Sequence, residues 1–512
     1  MMNIAFKNSI VALVAQSVTL ILSFILQSVF ARTLGGTYLG LNGMFSNVLT
    51  ILSFTELGFG NAIAFALYKP LQEKDDNKID AIMTLFKKVY FCVGMFILLA
   101  SLLFAPFVGH FVSGANVPNI KLYFLLFALN SAASYFLSYK RTLLIADQKG
   151  YLNIINQLSF KVFVILIQVY FLISGSYFGF LITQILGTLI SNIVISKRIN
   201  KMYTHLFTLK KLQLDPVDLK QIKESTMGGM GQKIGSIVVN NTNNLLIASF
   251  VSLMVTGIYS SYMMIVTGIS VVISQFVNAI TASIGNMAVV THSKKMVTIF
   301  ERHQFLTVSL DTIIATIMIS LMSPFVSLWL GEKFILSNVS VYLISINFLI
   351  NMIRLSYLSF IQALGLFKMI GVKSVIEAAI NIVGCLVALK VYHLGINGIL
   401  LVTLAINLLF NVSTEAYIVY NYGFKTKMEK LFIPKIFSIV MYVIFSGNVI
   451  MFVNQKLFSN AGVLTFIVQT IVSIILALIL YLPIFLLSKC SDYYQNIVMS
   501  KAPAFLRRRG NE

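Results

Sequence analysis

The chain has 512 residues, of which 58% are hydrophobic and only 11% charged, with a mean hydropathy of +0.88. That composition excludes an ordinary soluble domain and indicates a polytopic membrane protein. The net charge of +21 does not mark a nucleic-acid binder, because the basic residues are dispersed over short loops instead of gathered on one soluble face.

Each bilayer crossing needs about 20 mostly apolar residues. Fourteen such runs are expected, near 9–31, 38–66, 89–112, 121–146, 152–174, 177–196, 227–250, 254–288, 305–328, 338–364, 372–392, 395–419, 435–453 and 463–487. The first run carries Gln16 and Gln27 and lacks a small-x-small cleavage pattern, so it is expected to be a retained span and not a signal peptide. Cytoplasmic loops of membrane proteins hold the Lys and Arg excess. With both termini cytoplasmic, 30 of the 38 basic residues fall in inner segments and five (Arg32, Lys121, Lys333, Lys390 and Lys456) in outer loops. The other three, Lys161, Lys233 and Arg354, fall within spans.

An offset of 217 positions brings Ala31 onto Ala248, Gly40 onto Gly257 and Leu41 onto Ile258, and an offset of 219 brings Gly179 onto Gly398 and Asn192 onto Asn411. Six spans separate the two copies, so both run in the same direction, as parallel repeats do. The expected fold is an all-α polytopic membrane protein of about 14 transmembrane helices. An N-terminal six-helix lobe (1–196) and a C-terminal six-helix lobe (227–424) are joined by a basic cytoplasmic linker (197–226). Helices 13 and 14 (425–487) and a basic tail (488–512) follow. Substrate in such folds sits between the lobes near the midplane.

An ionised side chain near the bilayer centre costs about 2.5–3.5 kcal/mol even on the lenient scale. Charged residues inside the spans therefore mark either a cavity or an interhelical ion pair. At 1.5 Å per residue Lys161 lies roughly 14 Å from the inner face, and Lys233, Asp311 and Glu377 roughly 8–10 Å. Arg354 also falls in the inner half and Glu415 nearly at the inner surface, so the charges gather on the cytoplasmic side. In "VVNNTNNLLI" (238–247) four asparagines crowd one apolar run. At 100° per residue Asn240, Asn241, Asn243 and Asn244 cover an arc of about 160°. Amides on such a face either bind sugar hydroxyls or tie helices together. The three cysteines, Cys92, Cys385 and Cys490, are far apart, so neither a disulfide framework nor a metal site is expected. His292 and His303 are expected on a solvated inner loop. The sequence contains no Gly-Lys pair, hence no P-loop, and no ATP hydrolysis is expected.

The run "ARTLGGTYLGLNGMFSNVLTILSFTELGFGNAIAFALYKPL" (31–71) resembles the first-to-second-span signature of polysaccharide flippases, in the multidrug/oligosaccharidyl-lipid/polysaccharide exporter superfamily. "NNTNNLLIASFVSLMVTGIYSSYMMIV" (240–266) resembles its counterpart at spans 7–8. The pattern is most similar to that of capsule and exopolysaccharide repeat-unit transporters of Gram-positive bacteria. The resemblance implies a multi-pass protein of a bacterial plasma membrane that moves undecaprenyl-pyrophosphate-linked oligosaccharide from the inner to the outer leaflet, without a cofactor. A lipid pyrophosphate is anionic, so Lys161, Lys233 and Arg354, with Arg32 and Arg141 at the two mouths, are the expected pyrophosphate contacts. Asn240, Asn241, Asn243 and Asn244 are the expected sugar contacts. Glu56 and Asp311 are the candidates for coupling to H+ or Na+. Relatives often carry Asp immediately after the threonine of span 7, where this chain has Asn243, so a cation-binding role for that position does not carry over. A drug or cation exporter of the same superfamily and a flippase for lipid II or a teichoic-acid precursor remain alternatives. The short, mostly uncharged outer loops argue against an enzyme.

Overall fold

The computed structural model describes residues 2–53, 59–112, 117–207, 214–216, 218–220, 222–223, 226, 241–288, 293–426, 432–458 and 462–488. Among them there is no strand. In hydrocarbon the backbone has no water to bond, and a helix satisfies its N–H and C=O groups within one segment. In chain order the helices are α1 (Met2–Thr33), α2 (Gly35–Leu52), α3 (Phe59–Glu73), α4 (Asp76–Phe104), α5 (Ile120–Tyr135), α6 (Tyr139–Ala146), α7 (Gly150–Ile173) and α8 (Tyr177–Met202). Then come α9 (241–250), α10 (Leu253–Ala288), α11 (Ser293–Leu330), α12 (Asn338–Ala363), α13 (Phe367–Lys390), α14 (Gly395–Ala405), α15 (Val412–Tyr417), α16 (Phe432–Leu457) and α17 (Val463–Leu486).

Eleven of these segments are long and apolar enough to cross a membrane, or twelve if α5 and α6, bent by 42°, form one broken span. Fourteen crossings were expected, and the difference falls in two places. The run 38–66 divides into α2 and α3 on either side of residues 54–58, which lie outside the described residues. Of 227–250 only α9 is described.

By contact the chain groups into two compact units, residues 1–264 with 370–396 and residues 265–369 with 397–512. This grouping differs from a division by repeat, because α9, the start of α10 and most of α13 pack with the first eight helices.

In the first unit α7 packs on α1 and α8, and α5 on α4 and α8. Small residues allow one very close approach. A Cβ on Gly40 would lie 1.8 Å from the Leu253 carbonyl oxygen, and one on Gly257 would lie 2.3 Å from the Gly36 carbonyl oxygen. The α2 and α10 backbones therefore touch at a contact that only glycine permits, the small-xxx-small mode of membrane helices. Beside it Gln27 Nε2 donates to Ser261 Oγ at 3.0 Å. At the cytoplasmic rim expected from the basic residues, the chain after α8 is clasped back onto the unit. Tyr203 donates its hydroxyl to Asp147, and Lys78 Nζ lies 2.8 Å from Asp218. Burial and the Asp147 carboxylate raise the Tyr203 phenol well above its ordinary range, so it remains a donor.

In the second unit α11 packs against α12, α16 and α17. Outward-facing leucines and isoleucines such as Leu464 and Ile479 on α17 suit a lipid-facing helix. The helix between Gly395 and Phe424 includes two π-helical stretches, Ile406–Asn411 and Ile418–Phe424. His303, expected on a solvated loop, is instead buried in α11, 5.9 Å from the Phe360 ring. Helix α11 begins at Ser293, so His303 sits nearly three turns inside it.

Candidate functional site

The site begins with a broken helix. Leu137 adopts φ 65°, a left-handed conformation unusual for leucine, and the chain turns from α5 into α6. The break frees carbonyls that a continuous helix would have used. Asn192, on α8, supplies the missing donors: its Nδ2 bonds the carbonyl oxygens of Ala133 and Phe136, both at 3.0 Å. Its Oδ1 then faces Arg141, accepting from Nε at 3.2 Å and Nη2 at 2.9 Å. Arg141 Nη2 also donates to Ser191 Oγ at 3.0 Å, and Nη1 to Asn153 Oδ1 at 2.5 Å. One asparagine thus closes the helix break and orients the guanidinium.

Arg141 is 9% exposed, and all its partners are neutral. It shares a cavity of about 320 Å3 with Lys161, lined also by Ser138, Gln157, Gln184 and Thr188. Lys161, on α7, donates to Ser23 Oγ of α1 at 3.2 Å. Neither cation has a carboxylate within 4.0 Å among the described residues. Two cations without a neighbouring carboxylate, set among hydroxyls and amides, have the chemistry to hold an anion: Arg can take it bidentately, and Lys acts as a point charge. A buried cation without a counter-ion is costly, so its presence points to a ligand that supplies the negative charge.

The other expected pyrophosphate residues are placed differently. Arg354, in the second unit, is neutralised: Nη2 lies 2.9 Å from Glu415 Oε1 and Nε donates to both carboxylate oxygens at 3.2 Å, while Nη1 donates to Asn407 Oδ1 at 2.6 Å. Glu415 is fully buried, so this is an ion pair inside a helix bundle. Arg32, in the last turn of α1, is nine residues beyond Ser23, roughly 14 Å along the helix, and is not part of the Lys161 cavity. Arg141 lies inside the cavity and not at a mouth. Lys233 lies outside the described residues.

Of the asparagines, Asn240 lies outside the described residues. Asn244 Oδ1 accepts from Ser260 Oγ at 3.4 Å, Asn243 is buried with its Oδ1 unpartnered, and Asn241 is half-buried. Asn244 thus faces the early turns of α10, and none of Asn241, Asn243 and Asn244 lines the Arg141–Lys161 cavity. Glu377 pairs with Lys373 at 2.9 Å along α13. Asp311 is fully buried in α11 with neither carboxylate oxygen hydrogen-bonded, and Glu56 lies outside the described residues. No group of three or more His, Cys, Asp or Glu placed to hold a metal occurs among the described residues. Sequence reasoning missed the network of Asn192, Ser191 and Asn153. The only signal for it was Asn192 as the repeat mate of Asn411.

The described residues thus form an all-helical fold in which a bent helix pair, α5 and α6, stands beside the Arg141–Lys161 cavity. The fold is similar to that of the lipid II flippase MurJ in an inward closed conformation, with a TM-score of 0.63 and 15% identity over 96% of this chain and 99% of that one. It is also similar to an inward-facing multidrug resistance MATE family transporter of the MOP superfamily, with a TM-score of 0.60 and 14% identity over 82% and 95%. A third likeness is to a MOP superfamily transporter from Pyrococcus furiosus, with a TM-score of 0.53 and 13% identity over 80% and 94%. The sequence profile of the polysaccharide biosynthesis proteins matches residues 5–283, and the chain belongs to that family. No protein of curated function matches it.

Proposed function

We propose that the chain is a flippase that moves undecaprenyl-pyrophosphate-linked oligosaccharide repeat units from the inner to the outer leaflet for capsular or exopolysaccharide synthesis. Transport proceeds by alternating access of the lobes 1–196 and 227–424, with both termini cytoplasmic. The observation that carries the reading is the pairing of Arg141 and Lys161 in one cavity with no carboxylate beside them among the described residues. That arrangement suits a pyrophosphate headgroup and opposes an organic cation, which would be repelled by two positive charges. In this reading Arg141, held in orientation by Asn192, clamps the pyrophosphate and Lys161 follows it. The polyprenyl tail stays in lipid, and no ATP or cofactor is used.

A second cargo is favoured by a separate observation. The likeness to MurJ extends over 96% of this chain, against 82% for the MATE transporter, so lipid II, which carries the same lipid pyrophosphate, is the alternative cargo. The deciding experiment is depletion of the protein, with lipid-linked intermediates quantified by mass spectrometry and surface polymer measured in parallel. Accumulation of an undecaprenyl-pyrophosphate oligosaccharide with loss of polymer is the expected result, and its mass names the cargo. Unchanged lipid intermediates with intact polymer would overturn the flippase reading.

A further inference from the structure

A different cavity of about 290 Å3 lies within the second unit, among the C-terminal turns of α11, the first turns of α12, the last turns of α16 and the start of α17. In the orientation expected from the basic residues this is the outer half of the membrane. Among the described residues its lining includes no Asp, Glu, Lys, Arg or His. Ser323, Ser327, Asn338, Asn454, Gln455 and Gln469 contribute hydroxyls and amides, and Tyr342 and Phe458 contribute flat aromatic surface. Amides are expensive in a membrane unless they are paired. Asn454 is 6% exposed. Its Nδ2 donates to Ser473 Oγ at 2.9 Å, but its Oδ1 has no hydrogen-bond partner. The cavity offers both donors and acceptors beside aromatic rings without any net charge.

The chemistry that completes such a site is a neutral ring bearing several hydroxyls. We propose that this cavity binds an uncharged sugar, with the lining amides of Asn454, Gln455 and Gln469 bonding its hydroxyls. Its role as the place that receives cargo sugars on the outer side rests on the flippase reading and on the expected orientation, whereas the binding itself does not.

Trp329 is the only tryptophan in the chain. It lies two residues beyond Ser327 and stacks on Phe325 with ring centroids 5.6 Å apart, so its emission reports on this end of α11. The test is a titration of the full chain in lipid nanodiscs with maltose, cellobiose and N,N′-diacetylchitobiose, following Trp329 fluorescence. At least one sugar is expected to give a saturable change, weakened about tenfold or more by Asn454→Leu and by Gln469→Leu. The exposed Gln455→Leu variant guards against loss of folding in the buried one. No saturable change at millimolar sugar, or a response in all three variants as strong as in the native chain, would overturn the proposal. So would strong quenching of Trp329 by brominated phospholipid that sugar does not relieve, because the cavity would then hold lipid. Sugar binding without lipid-intermediate accumulation in depleted cells would keep this site and remove the flippase reading, and the reverse pair of results would do the opposite.

Discussion

Arg141 and Arg354 are both arginines at membrane depth, and their partners give them opposite roles. Arg141 is surrounded by neutral groups from Asn192, Asn153 and Ser191, so its charge is available to a ligand. Hydrogen bonds to a charged group are worth about 1.5–3 kcal/mol, which is roughly ten- to a hundredfold in a rate or affinity. Arg141→Gln and Lys161→Met should each lower polymer export by about that factor at unchanged protein level, with Arg141→Lys intermediate because it loses bidentate geometry. Normal export from both neutral variants, measured as surface polymer per unit of protein, would remove them from the site. Arg354 is satisfied by Glu415, and breaking a buried pair costs about 3–5 kcal/mol. Glu415→Gln should lower the melting temperature of the purified protein, and Arg354→Met with Glu415→Met should recover most of the loss. Lys161 was legible from the sequence because a lone lysine in an apolar run stands out. The pairing of Arg354 with Glu415 was not, since 61 residues separate them and only the packing of the helix carrying α14 and α15 on α12 brings them together.

At the scale of elements, the two copies of the expected repeat differ at one helix break. At the offset of 217–219, the break at Phe136 falls on Ile353–Leu355, and α12 runs through that position without interruption. The first copy therefore exposes carbonyls and draws Asn192 and Arg141 together, while the second keeps its helix and its ion pair. Periodicity cannot report this, because both runs are equally apolar and neither contains proline. The close contact of α2 with α10 was half legible: the offset of 217 aligned Gly40 with Gly257, but nothing in the sequence placed one against the other. Gly40→Val should abolish export without reducing membrane insertion, because its side chain would collide with the Leu253 backbone, 1.8 Å from a Cβ at that position. Gly109→Val is the control, since a Cβ there meets nothing within 4 Å, and it should export normally. Equal export from the two variants would show that the backbone contact is dispensable.

At the scale of the whole molecule the proposed transport needs a source of energy. Composition, hydropathy and the distribution of basic residues made the membrane class legible at once, since each is a sum over hundreds of residues. The drive is decided by single groups, and those carry no such redundancy. The sequence has no Gly-Lys pair and hence no P-loop lysine, so for the proposed transport the candidate drives are an ion gradient and removal of product. Asp311 is the group best placed for the first. It lies mid-span in α11, the helix that contacts α12, α16 and α17, and its two oxygens have no hydrogen-bond partner among the described residues. An ionised carboxylate there would be uncompensated, and we propose that charge at this position is linked to the arrival of a cation. In proteoliposomes loaded with lipid-linked oligosaccharide, an imposed proton or sodium gradient should accelerate translocation by the native chain. Asp311→Asn, which keeps the shape and removes the charge, should retain the basal rate and lose the acceleration. An undiminished gradient response in that variant would place coupling elsewhere, and an absent response in the native chain would leave consumption of product on the far side as the drive.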